Sequence, residues 1–280
     1  MKKCLVIVNI FKEESQKLAL EIENFLVKEN IQCELFNFDG KNLKLPTQGI
    51  DFVVTLGGDG TVLFAARACA SLGIPVFPIN LGQFGFIASI QKNEWQGKLK
   101  DFIQGKIPLS PRSMISTRVF RGKEKVFFAT ALNDVVIAAS AAAKLISLEL
   151  KFENNSFGSF CADGIIVATA TGSTAYSVAA GGPIIDPSLD ALLLNPISPF
   201  SLSNRPLVLP PEGVLEALVL PSRTDNIVLT ADGQVSDNLQ IGDRIEFSLA
   251  KDKVLLVGCS SDSFYGALRS KLHWSGGPLA

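Results

Sequence analysis

The residues with the clearest chemical potential are Gly57-Gly58-Asp59-Gly60-Thr61, which follow an apolar run, Phe52–Leu56, and precede a helical pattern. Glycines let a backbone come close to a phosphate, and the amides of such a turn and of the helix N-terminus face the anion. A carboxylate set among those amides repels phosphate unless it binds Mg²⁺ or takes a proton from an attacking hydroxyl, and either role suits phosphoryl transfer. The same residues also describe a glycine-rich strand-to-helix turn with Asp59 as its N-cap. Spacing alone leaves both open. No GxxxxGK[ST] is present and no GxGxxG follows a strand, so neither the P-loop nor the ordinary dinucleotide fingerprint applies.

Other segments carry polar groups suited to a nucleotide. Asn80-Leu81-Gly82-Gln83-Phe84-Gly85-Phe86 is a second glycine turn, expected beside the first or simply as a βα loop. Asp163-Gly164 leads through an apolar run to Thr171-Gly172-Ser173-Thr174-Ala175-Tyr176-Ser177, and six hydroxyl side chains fall between Thr169 and Ser177. They offer donors and acceptors to ribose, amide or phosphate, and they equally suit a Ser/Thr-rich turn capping a helix over 175–180. Asn133-Asp134 can grip a ribose diol or an adenine edge, or form an ordinary turn. Lys144 reads as a solvated charge, and Asp232-Gly233-Gln234 as a hairpin turn.

The first hundred residues alternate between strand and helix signals, which predicts a parallel sheet with helices on its faces. Strands are expected at 5–8, 32–36, 52–56 and 74–79. Helices are expected at 13–28, where Leu18, Ile22, Phe25 and Leu26 share a face, and at 61–71, ended by Gly73. In such sheets ligands gather at the carboxyl ends of the strands. After Gly105-Lys106-Ile107-Pro108 short strands and tight turns take over, at 116–120, 125–130, 227–230, 245–249 and 254–257. They predict an all-β, sandwich-like domain. A final helical pattern, with Phe264, Leu268 and Leu272 at i, i+4 and i+8, is expected to return to the first domain. The expected division is 1–106 with 259–280, and 107–258.

Composition narrows the classes. The 280 residues are 47 % apolar, enough for a large core, and 26 Lys and Arg nearly balance 27 Asp and Glu. No basic stripe points to nucleic acid. The apolar start Cys4–Val8 breaks off at Asn9 with no small-residue cleavage site, and the weakly polar 135–146 stretch is too short to span a bilayer. No membrane association and a cytoplasmic location are expected. Five separated cysteines without a CxxC pair argue for reduced thiols and against structural zinc. The single histidine, His273, leaves no material for histidine-based triads or two-histidine metal sites, so acid-base work falls to carboxylates.

In this order the motifs resemble the NAD kinase family. The matching residues are Gly57–Thr61, Asn80–Phe86, Asn133-Asp134, Asp163–Pro183, Asp186–Ala191, Ser201–Leu207 and the ending Lys271-Leu272-His273-Trp274. The run from Asp163 to Leu207 is the specific part, since lipid kinases and phosphofructokinases share the Gly57–Thr61 turn. The resemblance implies an α/β nucleotide domain, a β-rich domain that binds NAD, and a homodimer or homotetramer. It implies transfer of the ATP γ-phosphate, with Mg²⁺ or another divalent cation, to the 2′-hydroxyl of the adenosine ribose. Asp59 matches the residue that activates that hydroxyl, and Gly57, Gly58, Gly60 and Thr61 match phosphate-binding positions. Asp59, Gly60, Phe86, Asn133, Asp134, Asp163, Thr174, Ala175, Tyr176, Ser177, Val178 and Ala179 match dinucleotide contacts, and Lys144 and Gln234 match further ones. No residue is expected to hold a metal as a dedicated protein site.

The chain departs from the family pattern at four positions. Asp134 stands where the family usually has glutamate, Cys161 where it often has arginine, Ala170 for a usual proline and Phe200 for a common histidine. The competing readings are a lipid kinase of the diacylglycerol or sphingosine type, which shares the glycine turn, and an NADP-binding sensor without turnover.

Overall fold

The computed structural model describes residues 1–40, 44–82, 85–140, 144–201, 203–222, 224 and 226–274. The chain forms two compact units, one of 1–112 with 252–280 and one of 113–251. The first contains β1 (Lys3–Asn9), α1 (Glu13–Lys28), β2 (Gln32–Phe38), β3 (Phe52–Gly57), α2 (Asp59–Cys69), β4 (Val76–Asn80), β5 (Ile90–Gln91), α3 (Trp95–Ile103) and β6 (Leu109–Arg112). The second contains β7 (Ile115–Arg121), β8 (Glu124–Ala131), β9 (Asp134–Ala139), β10 (Ile146–Phe152), β11 (Asn155–Ala162), β12 (Gly164–Thr169), α4 (Tyr176–Ala179), β13 (Leu192–Ile197), β14 (Leu207–Leu209), β15 (Leu215–Val219), β16 (Ile227–Ala231), β17 (Val235–Leu239) and β18 (Arg244–Leu249). The chain then rejoins the first unit as β19 (Val254–Val257) and α5 (Ser261–Leu272).

The sheet of the first unit runs β2-β1-β3-β4-β19-β6, with β5 beside β4. Its pairs are parallel except for β6, which lies antiparallel to β19. That pairing explains why the unit extends to Arg112 and resumes at Asp252, whereas a boundary at 106 and 258 leaves out both strands. Helices cover both faces of such a sheet, so β1, β3 and β4 are near-continuous apolar runs. Helix α1 buries Leu18, Ala19, Ile22 and Leu26, with Glu13 and Glu14 in its first turn and Lys28 in its last, a distribution that suits the helix dipole. Gly73 closes the 3₁₀ turn after α2 with φ +63°. Helix α3 has no counterpart in the expected elements, because it shows the core only Trp95 and Leu99. Helix α5 is capped by the Ser260 side chain and ends in His273 at φ +48°, so the single histidine caps a helix.

The second unit is an antiparallel sandwich, with sheets ordered β11-β10-β15-β18-β7-β8 and β14-β13-β12-β9-β16-β17. One apolar core joins their inner faces, including Ile115, Ile137, Leu148, Val167, Leu229 and Phe247. Strand β12 is buried on both faces. Ile165 and Val167 enter this core, while Ile166 and Ala168 meet Ala170, Ile185 and Leu193 on the other side. The 170–185 segment, which carries the hydroxyl-rich turn, is therefore fastened to the outer face of β12.

Candidate functional site

In the first unit the two glycine turns are joined. Strands β3 and β4 pair with Gly57 opposite Asn80, and the Leu81 amide donates to the Gly57 carbonyl at 2.8 Å. Asp59 is the first residue of α2, and the N-cap is Gly58. The capping alternative for Asp59 thus fails, because its carboxylate reaches the second turn instead. Oδ1 accepts from the Ala88 amide at 2.9 Å and the Ile87 amide at 3.3 Å, and Oδ2 accepts from the Phe86 amide at 3.2 Å. The approach is close enough that a Cβ on Gly85 would overlap Asp59 Oδ1, and one on Gly57 would overlap the Thr61 hydroxyl. A Cβ on Gly58, by contrast, would meet nothing within 4 Å, and Gly60 is exposed. The carboxylate is oriented from the protein side and the turn beside it is open. Residues 83 and 84 of the second turn lie outside the described residues.

Two further side chains build this edge of the sheet. Ser15 Oγ accepts from the Asn9 amide at 2.9 Å and donates to the Leu56 carbonyl at 3.2 Å, tying the ends of β1 and β3. Lys12 Nζ donates to the Leu81 carbonyl at 3.3 Å, which holds a cation over the second turn. The sequence singled out neither residue. The available signal was a lysine in the loop between the first strand and first helix of an α/β sheet. Phe86 is half-buried beneath α5, with Phe264 at 6.2 Å and Lys271 Nζ 5.1 Å from its ring.

In the second unit three segments meet around residues 132–134. The Asp232 carboxylate accepts from the amides of Leu132 at 2.9 Å, Asn133 at 2.8 Å and Asp134 at 3.3 Å. From the other side Thr169 Oγ1 donates to the Leu132 carbonyl at 2.6 Å, and the Thr169 amide donates to the Asn133 carbonyl at 2.9 Å. A Cβ on Gly172 would overlap that Asn133 carbonyl, so this glycine is set by close approach. The backbone of Asn133 is fully engaged, while its side-chain Oδ1 is buried with no hydrogen-bond partner among the described residues. An orphaned acceptor of this kind costs about 1–3 kcal/mol, and a ligand donor would relieve it.

Asp134 is 6 % exposed and Asp232 7 %. Burial, then the neighbouring Asp232 charge, pushes the Asp134 carboxyl from 3.8 up to about 7, opposed by a hydrogen bond from the Tyr176 amide. Asp232 sits in the β16–β17 hairpin turn at φ +51°, followed by Gly233 at φ +64°. The same turn places Gln234, half-buried, next to this cluster, its amide on the Ala231 carbonyl at 2.9 Å.

The hydroxyl-rich turn divides its groups between fold and surface. Ser173 Oγ donates to the Ala170 carbonyl at 2.7 Å and accepts from the Ile185 amide at 2.9 Å. Ser177 is fully buried, with Asn195 Nδ2 2.8 Å from its carbonyl and 3.2 Å from its hydroxyl. Thr174, Ala175 and Val178 are half-buried, Ala179 is exposed, and Tyr176 is 47 % exposed. Asp163 and Lys144 are not brought to this cluster. Asp163 precedes β12, whereas Asp134 pairs with Ala168 near its far end. At about 3.3 Å per residue that is roughly 17 Å. Lys144 is exposed just before β10, whose Ile146 pairs with Ala162, at the same end as Asp163.

Comparison with known proteins agrees along both units. Residues 41–107 match the model of the ATP-NAD kinase N-terminal domain and residues 132–259 that of the ATP-NAD kinase C-terminal domain. The NAD kinase of Treponema denticola is 49 % identical over 99 % of this chain and 98 % of its own length. The chain belongs to the NAD kinase family.

Among NAD kinases of known structure, that of Archaeoglobus fulgidus, solved in complex with ATP, is 26 % identical with a TM-score of 0.78, covering 96 % of this chain and 99 % of that one. A yeast NADH kinase complexed with NADH shares the fold with a TM-score of 0.86 at 22 % identity, over 100 % of this chain and 90 % of that one. Neither the lipid kinase nor the sensor reading gains support from these matches. Of the departures from the NAD kinase pattern, Cys161 is exposed, with Ser147 Oγ 3.3 Å from its sulfur. Ala170 has φ −58°, the value proline imposes. Phe200 is exposed, and nothing in the structure explains its replacement of histidine. Among the described residues no helix is long and apolar enough to cross a membrane, and no three His, Cys, Asp or Glu side chains cluster as a metal site.

Proposed function

We propose that the protein transfers the γ-phosphate of ATP to the 2′-hydroxyl of the adenosine ribose of NAD, giving NADP. The observation that carries this reading is the Asp59 carboxylate. It is fixed by amides of one glycine turn at the mouth of another, where the carboxyl edge of a parallel sheet favours phosphates. Asp59 Oδ2 accepts one amide, from Phe86, and keeps lone-pair capacity to take the proton of the attacking hydroxyl. Gly57, Gly58, Gly60 and Thr61 form the phosphate-binding turn, and Lys12 adds a cation for the donor's phosphates. Asn133, with its unpartnered oxygen, receives a ribose hydroxyl, and Asp134, Tyr176 and Gln234 contact the nucleoside around it. Asp163 and Lys144 serve a different part of the dinucleotide.

Mg²⁺ typically keeps several waters and takes one or two carboxylates plus substrate phosphates. A lone Asp59, with no three-residue acidic cluster among the described residues, fits an ion that arrives on the triphosphate. There it neutralises charge on the transferring group. A homo-oligomer in the cytoplasm completes the reading.

An NAD analogue lacking the 2′-hydroxyl on its adenosine ribose tests the regiochemistry. It should bind competitively with NAD and yield no phosphorylated product. A product from this analogue places the phosphate elsewhere and removes the role given to Asp59.

A further inference from the structure

Two carboxylic acids lie buried side by side at the candidate nucleotide site, and they are treated unequally. Asp232 accepts the amides of Leu132, Asn133 and Asp134. Asp134 accepts the Tyr176 amide. The two residues are also linked through the backbone, with the Asp232 amide 2.8 Å from the Asp134 carbonyl. Two buried carboxyls that act on one another do not both ionise readily, and the proton goes to the one with fewer donors. A carboxylate holding several backbone amides is the one that keeps its charge.

We propose that Asp232 is a positioning residue of the nucleotide site: it moulds the 132–134 turn that presents Asn133, and it keeps Asp134 as the neutral acid, whose O–H is donated to bound NAD. This rests on the NAD kinase reading of the site. Aspartate is one methylene shorter than the glutamate of the family pattern, so its carboxyl stays closer to its own backbone. A neutral acid there is a hydrogen-bond donor, whereas its carboxylate offers acceptors only.

Among the described residues, the Asp232 carboxylate acts on Asp134 from the β16–β17 turn and the Tyr176 backbone amide donates to it from α4. Across the pair on β12 stands Ala168, and the next residue, Thr169, has its hydroxyl on the Leu132 carbonyl. Burial and the Asp232 charge together bring the Asp134 transition to about pH 7, so NAD affinity becomes pH-dependent in the physiological range.

The experiment is the dissociation constant of NAD by calorimetry from pH 6 to 9, for wild type, Asp134→Asn and Asp232→Asn. NAD is the probe because the 2′-phosphate of NADP itself titrates near pH 6. Wild-type affinity should fall about tenfold per pH unit above a midpoint near 7. Asp134→Asn, which carries a permanent N–H donor, should remove that dependence. Asp232→Asn should weaken binding and move the midpoint down, because Asp134 then ionises more easily. An unmoved midpoint, with affinity reduced equally at all pH values, makes Asp232 merely structural and overturns the proposal. Absence of NAD binding by wild type at every pH overturns the reading of the site and the proposal with it. Should Asp232→Asn not fold, the carboxyl-carbon NMR titration of Asp134 in the wild type decides. A transition near 7 supports the proposal and one near 4 refutes it.

Discussion

Replacing Asp134 with asparagine should stabilise the protein, and more so as the pH rises. The shift from 3.8 to about 7 means that the folded chain holds a proton which the unfolded chain has released. A raised native pKa contributes stability that is whole below about pH 4 and is lost as the pH climbs through 7. The shift is roughly 3 pK units at about 1.36 kcal/mol each, so up to about 4 kcal/mol disappears across the full range. Between pH 5 and pH 8 the linkage integral gives about 2.5 kcal/mol. The substituted amide keeps an acceptor for the Tyr176 N–H and brings no charge to bury beside Asp232. Urea unfolding of both proteins at pH 5, 6, 7 and 8 measures the difference directly, since other titrating groups are common to the pair. The gap should widen by about 2.5 kcal/mol from the lowest to the highest pH, with m-values unchanged. Parallel stability curves would refute the argument that Asp134 is protonated in the fold.

Other substitutions probe the remaining features. Asp59→Asn should leave NAD binding largely intact, abolish most turnover and cost about 1–3 kcal/mol of stability, because an amide cannot accept from Phe86, Ile87 and Ala88 as a carboxylate does. Kinetics, calorimetry and urea unfolding check the three parts. Gly85→Ala places a Cβ against Asp59 Oδ1 and should reduce kcat at least as far as Asp59→Asn, with NAD affinity by calorimetry little changed. Ala170→Pro should stabilise by about 0.4–1 kcal/mol, since the native φ of −58° already suits proline, and a loss of stability in urea would contradict this. Cys161→Arg returns an exposed cation and should tighten NADP binding several-fold with little effect on NAD, measured by product inhibition.

The architecture was readable wherever local pattern and burial agree. Strands β1, β3 and β4 are unbroken apolar runs because both their faces are covered. Helix α1 repeats its apolar residues at 3.6 intervals and matches its expected span of 13–28. Helix α3 escaped because two buried residues in nine make too thin a stripe to stand out from its polar neighbours.

Within the site, residue types announced which segments matter, and pairing across the chain decided what each side chain does. Asp59 reads locally as an N-cap, yet its partners lie at 86–88, which no local rule anticipates. Ser173 and Ser177 look like ligand hydroxyls, but their partners at Ile185 and Asn195 draw them into the core. Asp232 resembles an ordinary hairpin aspartate, and its left-handed backbone fits that reading. Its three amide partners belong to a strand entrance about a hundred residues earlier, a relation visible only once β16 pairs with β9.

The most direct test of the central claim is NADP formation by the purified protein, followed by a coupled NADP-dependent dehydrogenase, with each of NAD, ATP and Mg²⁺ omitted in turn. NADP should form only in the complete mixture, and its formation should be lost in Asp59→Asn at unchanged NAD affinity. No NADP from wild type that binds both NAD and ATP would contradict it, as would undiminished turnover in Asp59→Asn.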